Sequence, residues 1–296
     1  MHDEQIDVDV DDLRALLQAQ QPKWASLPID LLTTSGTDNA IFRLGDDLVV
    51  RMPIIGWAAD QIELESTWLP RLAPRLPVTV HEPVAVGEPG EGYPFRWLVY
   101  RWIEAENAHH DDVSDPVGLA HDIAGVVLGL RSMATDGKPR SARGHPVAHA
   151  DNGIREAIET LRPELGDVDA DLLHTIWQEA VDAPHWKGAF VPVHGDLSGN
   201  NLLLGPDGRL TAVIDWSCFG VGEPANDLDV AWELLDTEAR AVYRELLDVD
   251  DDTWARARGW VVRGVYGIPY YRETNPGIVE RGWRRLHNVM DEYRGS

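Results

Sequence analysis

The chain has 296 residues, 44% of them hydrophobic, which is enough apolar material for a sizeable core in one large domain or two lobes. Lys and Arg number 26 against 50 Asp and Glu, a net charge of −24 that excludes nucleic acid and anionic membrane surfaces as expected partners and makes a cationic one easier to imagine. Cys218 is the single cysteine, so neither a disulfide framework nor a Cys-based zinc cluster is expected, and a reducing cytoplasm fits.

Lysine occurs only at Lys23, Lys138 and Lys187, so the basic complement is almost entirely arginine. The first twelve residues are acidic rather than basic-then-apolar, and no apolar run approaches the length of a membrane span. Neither a secretory leader nor a membrane anchor is therefore expected.

In chain order, Leu13, Leu16 and Leu17 predict a helix over residues 11–20, with Asp11 or Asp12 as its cap. Strands are predicted at 31–34, 41–44 and 48–51, forming a small antiparallel sheet. Ile62, Glu65, Leu69 and Leu72 give a helix over 61–72, closed by Pro74 and Pro77. Two more strands follow at 84–87 and 97–102. Polar His109-His110-Asp111-Asp112 reads as a linker between lobes.

Beyond it, Leu119, Ile123, Val126, Val127 and Leu130 mark an amphipathic helix, and residues 136–151 read as an irregular loop. Helices at 154–161 and 172–181 precede short strands at 190–193, 201–204 and 210–214. Helical patterns return at 228–235, 239–247, 253–266 and 279–293. The class is α+β in two lobes flanking a cleft, divided as residues 1–103 and 104–296.

The chemistry concentrates in Val193-His194-Gly195-Asp196-Leu197-Ser198-Gly199-Asn200-Asn201 and in Val213-Ile214-Asp215-Trp216. Gly205-Pro206-Asp207-Gly208 is a hairpin turn, so antiparallel pairing brings Asn201 toward Asp215. An amide oxygen and a carboxylate make a hard, oxygen-only site suited to Mg²⁺. Asp196, just before it, can orient a substrate hydroxyl or take its proton during in-line attack on a phosphoryl group.

This pattern, His194-x-Asp196 with Asn201 five residues after the Asp and then Asp215, resembles the catalytic loop and metal-binding Asp of the aminoglycoside phosphotransferase family. Gly222-Glu223-Pro224-Ala225-x-Asp227-Leu228 is similar to the segment that follows the metal Asp in that family. The resemblance implies a protein-kinase-like fold, with an N-terminal antiparallel sheet carrying one main helix and a mainly helical C-terminal lobe. It further implies ATP or GTP as phosphoryl donor, with Mg²⁺ held by Asn201 and Asp215.

Within the first lobe, Ser35-Gly36-Thr37-Asp38-Asn39 resembles the family's phosphate-covering loop, and Ser35, Gly36, Thr37 and Asn39 are expected at the nucleotide. Arg51 stands where kinases place a phosphate-binding Lys. Glu65 is its expected partner, with Glu63 as the competing choice. The strand over Val99, Tyr100 and Trp102 resembles the hinge that presents backbone groups to a purine. Asp227 is expected to anchor the catalytic loop and His194 to pack it.

Asp229, Trp232 and Glu233 are candidates for the acceptor pocket, with Glu223 and Asp236 nearby; a solvated helix face is the competing reading. The expected activity is a small-molecule kinase acting on a hydroxyl of an aminoglycoside-like antibiotic or a related polar metabolite, cationic groups on the acceptor being compatible with the acidic pocket. Alternatives are a kinase of macrolides, sugars or amino alcohols, a nucleotide-binding module without turnover, and a metal-dependent hydrolase using His194 and Asp196.

Overall fold

A computed structural model describes residues 5–32, 38–165 and 168–295. The chain divides into two compact units. The first combines Met1–Ala105 with Ala212–Ser217, and the second combines Glu106–Thr211 with Cys218–Ser296. The sequence expectation drew a single cut at 103/104; the structure groups a short return of the chain, carrying Asp215, with the first unit.

The first unit opens with α1 (Val10–Gln20). Its cap is Asp9, two residues earlier than expected: Asp9 accepts from the backbone N–H of Asp11 and Asp12, and Asp12 accepts from that of Asp9. The strands β1 (Ile29–Leu31), β2 (Asn39–Leu44) and β3 (Leu48–Pro53) follow, then α2 (Gly56–Leu72), β4 (Thr79–Val80), β5 (Pro83–Gly87) and β6 (Trp97–Arg101).

The main sheet has the order β1-β2-β3-β6-β5, every described pairing antiparallel. Alternation sends Phe42, Leu44, Val50, Met52, Trp97 and Val99 into one core with Leu13, Leu16 and Leu17 of α1. Each such side chain contributes about 2 kcal/mol by leaving water. Gly87 is needed there, because a Cβ would lie 1.8 Å from the Trp97 ring.

The second unit begins with β7 (Glu106–Asn107) and the long apolar α3 (Pro116–Arg131), followed by α4 (Asp151–Leu161) and α5 (Ala170–Asp182). Next come β8 (Val191–Val193), β9 (Leu202–Leu204), β10 (Leu210–Val213) and β11 (Gly220–Gly222), then α6 (Ala231–Leu234), α7 (Thr237–Leu246), α8 (Asp251–Val262), α9 (Gly267–Tyr271) and α10 (Pro276–Gly295). β7 pairs with β9 and β8 with β11, both antiparallel. The end of β10 pairs in parallel with β4 of the first unit, Ala212 opposite Thr79 and Val213 opposite Val80.

Helix packing builds the rest of the second unit. α3 lies against α7, and α5 against α8. Residues 228–230, expected as helix, instead follow a short 3₁₀ turn, Pro224–Asp227, and only Ala231–Leu234 is helical. Among the described residues, no helix is long and apolar enough to cross a membrane.

Candidate active site

The first unit contributes a buried charge cluster. Arg51 leaves β3 toward α2, where its Nη1 lies 2.6 Å from Glu65 Oε1 and its Nη2 donates to Gln61 Oε1 at 3.0 Å. Glu65 is 2% exposed, whereas Glu63 faces solvent, so the helix presents the expected residue to Arg51. Tyr100 donates its hydroxyl to the other Glu65 oxygen. Burial by itself would weaken the guanidinium's hold on its proton, but Glu65, Asp215 and Tyr100 outweigh it and raise the pKa, keeping Arg51 charged.

Asp215 belongs to the same unit, with Oδ1 3.8 Å from Arg51 Nη1 and its side chain 43% exposed. Its φ is +56°, a left-handed conformation that Asp tolerates better than most residues.

The purine-edge expectation needs correction at two of its three residues. β6 is paired with β3 on one side and β5 on the other, so the backbone groups of Val99 and Tyr100 are directed into the sheet. Tyr100 instead serves through its hydroxyl, on Glu65. Trp102 lies one residue past the strand, donates its N–H to the Asp47 carbonyl at 2.8 Å, and stacks its ring under Arg43. Ser35, Gly36 and Thr37 lie outside the described residues. Asn39 starts β2 opposite Pro53, and its buried Oδ1 has no hydrogen-bond partner among the described residues.

The second unit holds the loop after β8 by its backbone. Asp227 is 1% exposed, and its two carboxylate oxygens accept from the N–H groups of His194 at 2.7 Å and Gly195 at 2.8 Å. Burial raises the Asp227 pKa, and His194 with the two backbone donors opposes the rise. Gly195 has φ +84°, and a Cβ there would meet the Cys218 carbonyl at 2.6 Å and Ser141 Oγ at 2.7 Å. Asp196 N–H donates to His194 Nδ1 at 3.2 Å, so that ring nitrogen carries no proton and His194 is a positioning group.

Asn201 closes the loop. Its Nδ2 donates to the Asp196 carbonyl oxygen at 2.8 Å, and since a carbonyl only accepts, the amide's nitrogen end is fixed there. The oxygen end is then the one with lone pairs to give a cation. Asn201 Oδ1 in the second unit and the half-exposed Asp215 carboxylate in the first are each a hard oxygen donor of the kind Mg²⁺ takes.

The acceptor-pocket residues are placed otherwise than expected. Trp232 is 0% exposed, donates Nε1 to Glu292 and packs on Trp254, so it lines no pocket. Glu233 is 1% exposed; its Oε1 accepts from Gly199 N–H at 2.9 Å, and it pairs with Arg285 and Arg281. Asp229 is 8% exposed with Oδ2 3.1 Å from Arg285 Nη1. Burial pushes its pKa up to about 6, with Arg285 and Arg143 opposing. Glu223 is buried on Arg256, and Asp236 caps α7.

One residue near Asp196 was not anticipated. Arg143, from the irregular loop between α3 and α4, places Nη2 3.0 Å from Asp196 Oδ1. Nothing periodic marks that loop, and the two residues are far apart in sequence. Among the described residues no group of three or more His, Cys, Asp and Glu forms a metal cluster.

A family model described as the phosphotransferase enzyme family matches residues 32–260. Viomycin phosphotransferase of Streptomyces vinaceus is 33% identical over 142 residues, which cover 45% of this chain and 48% of that protein. The matched stretch thus spans about half the length of that relative. The GDP complex of wild-type aminoglycoside 2'-phosphotransferase-IIIa superposes with a TM-score of 0.70 at 19% identity, over 95% of this chain and 98% of that one. A macrolide 2'-phosphotransferase from Brachybacterium faecium superposes with a TM-score of 0.61 at 22% identity, over 93% and 98%. At these identities the solved structures establish likeness of fold.

Proposed function

The chain belongs to the phosphotransferase enzyme family, and on that premise we propose that it is a small-molecule kinase. It moves the γ-phosphoryl group of ATP or GTP to a hydroxyl of a polar acceptor, an aminoglycoside-like antibiotic or a related polar metabolite. The observation that carries this reading is the fixing of Asp196: Asp227 holds the two backbone N–H groups before it, His194 holds its own, and Asn201 holds its carbonyl, while the carboxylate is left 28% exposed.

Asp196 is the catalytic residue. Its carboxylate orients the acceptor hydroxyl and receives its proton as the new O–P bond forms and the bond from the γ-phosphorus to the bridging oxygen breaks, releasing nucleoside diphosphate. Asn201 and Asp215 would hold Mg²⁺, which when bound neutralises phosphate charge. Arg51, kept charged and aimed by Glu65, meets the donor phosphates. Ser35, Gly36, Thr37 and Asn39 cover them, and the carbonyl of Trp102, whose N–H is held by Asp47, takes the purine edge. The work is positioning and charge neutralisation. We place the reaction in the cytoplasm, where nucleoside triphosphates are plentiful.

The test is phosphoryl transfer by the purified chain with Mg²⁺ and ATP or GTP across aminoglycosides, macrolides, sugars and amino alcohols. Asp196→Ala is expected to lower kcat by about 10²–10⁴-fold while nucleotide still binds. Full transfer by that variant would remove Asp196 from the reaction.

A further inference from the structure

Residues 139–144 have no hydrophobic period, yet their backbone is fastened down. Ser141 donates its N–H to the Val221 carbonyl at 3.0 Å, and Val221 donates its own to the Pro139 carbonyl at 2.8 Å, so the stretch lies along β11. The Ser141 hydroxyl donates to the Cys218 carbonyl at 2.8 Å and accepts the Arg143 N–H at 3.2 Å. Asn226, 5% exposed, donates Nδ2 to the Arg143 carbonyl at 2.6 Å. Both backbone polar groups of Arg143 are thus engaged.

Asn226 belongs to the 3₁₀ turn Pro224–Asp227. The next residue of that turn, Asp227, holds the N–H groups of His194 and Gly195 just before Asp196. One short turn therefore anchors the backbone on both sides of the Arg143–Asp196 pair. Partly exposed ion pairs contribute little when two side chains must be ordered from free loops. Here the loops are ordered already.

Arg143 Nη2 lies 3.0 Å from Asp196 Oδ1, with side chains 41% and 28% exposed. Among the described residues, Asp196 Oδ2 has Asn201 Nδ2 at 3.4 Å, long for a hydrogen bond, and that nitrogen is committed to the Asp196 carbonyl at 2.8 Å. A carboxylate rotates about a broad, two-fold torsion. A guanidinium on one oxygen stops that rotation and leaves the lone pairs of the other for an acceptor hydroxyl. In-line transfer is sensitive to such placement, since an error of about 1 Å costs on the order of 10²-fold in rate.

We propose that Arg143 is a positioning residue of the transfer: it fixes Asp196 Oδ1, so that Oδ2 meets the acceptor hydroxyl and receives its proton. This rests on the kinase reading above and adds no covalent step to it. Arg143 acts through Asp196 and binds neither nucleotide nor acceptor.

The experiment measures kcat and KM with Mg²⁺ and ATP or GTP, using kanamycin, erythromycin, glucose and ethanolamine as acceptors. Arg143→Ala is expected to lower kcat by about 10–100-fold, the weight of one hydrogen bond between charged groups, with KM for nucleotide unchanged. Arg143→Lys, which keeps a charged donor but not the planar fork, falls between the two. Guanidinium chloride, far below denaturing concentrations, is expected to restore part of the kcat of Arg143→Ala, while sodium chloride at equal ionic strength does not. In an Asp196→Ala background, Arg143→Ala should lower the rate no further, because its effect passes through Asp196. Thermal midpoints report folding. Should Arg143→Ala lose its thermal transition, Arg143→Gln takes its place, with the same loss of kcat and the same silence beside Asp196→Ala expected.

Full kcat in Arg143→Ala overturns the positioning role and leaves the kinase reading standing. So does a loss that guanidinium fails to restore and that recurs in the Asp196→Ala background, which would make Arg143 a structural strut. A raised KM for nucleotide at unchanged kcat would assign Arg143 to the donor instead. No transfer by the natural chain to any acceptor overturns the kinase reading itself, and the role of Arg143 with it.

Discussion

His81 shows how one half-buried ring ties the Arg51–Glu65 cluster to pH. It stacks on Tyr100 with ring centroids 4.2 Å apart, and its Nε2 lies 2.8 Å from the Arg101 carbonyl oxygen, so Nε2 is the donor. Burial pushes its pKa down to about 4; the Arg101 carbonyl opposes the shift and the Arg51 charge adds to it. An unfolded histidine titrates near 6.5. Between that value and about 4 the unfolded chain therefore binds more protons than the folded one, and the stability present above pH 6.5 is lost as pH falls through this window. Thermal midpoints measured from pH 7 to 4.5 should fall more steeply for the natural chain than for His81→Gln, whose amide can still reach the Arg101 carbonyl. Parallel curves would show that His81 stays neutral for another reason or is protonated without cost.

Between elements, the contact that matters most in the first unit joins β3 to α2 through Arg51 and Glu65. Removing one partner of a buried ion pair strands the other charge, which costs about 3–5 kcal/mol. Glu65→Ala strands Arg51 and also orphans the Tyr100 hydroxyl, so it should lower unfolding stability by that amount in urea titration and weaken nucleotide binding together. A variant as stable as the natural chain would mean that Gln61 and Asp215 suffice for Arg51. This pair was legible in the sequence, because helical spacing puts Glu65 on the buried stripe with Ile62 and Leu69. The Asp196 loop was legible too, through its glycine and its fixed spacing to Asn201. Other features were not. Two-residue β4 has no periodicity to read, yet it claims the end of β10 and with it Asp215 for the first unit. The start of α2 at Gly56 rather than residue 61 could not be read, because its first turn buries only Ala58, too small to mark a stripe. Arg143 reaches Asp196 through tertiary packing alone. Asp229 and Glu233 looked like a solvated or ligand-facing acidic edge; only the complementary four-residue spacing of Arg281 and Arg285 signals that α10 covers them.

Over the whole chain, the charge of −24 is unevenly committed. The arginines described above at Arg51, Arg143, Arg256, Arg281 and Arg285 are engaged with carboxylates inside their units, so local sites can be cationic within an acidic protein. The surplus acid is at the surface, as at Glu63, Glu106 and Asp252, which are exposed. Like charges spread over a compact surface repel, which destabilises the folded state relative to the more expanded unfolded chain. Salt shortens the reach of that repulsion to about 8 Å at 0.15 M but barely touches the buried pairs. Sodium chloride added from 10 mM to 300 mM should therefore raise the thermal midpoint, by about 2–4 °C for each kcal/mol of repulsion relieved in a chain of this size. Sucrose at matched osmolality serves as control, since it acts by exclusion and leaves charges unscreened. A midpoint that falls with salt would mean that surface pairs such as Arg209 with Asp122 outweigh the surplus, and the acidity of the chain would then have to be explained by something other than repulsion held in check by its buried arginines.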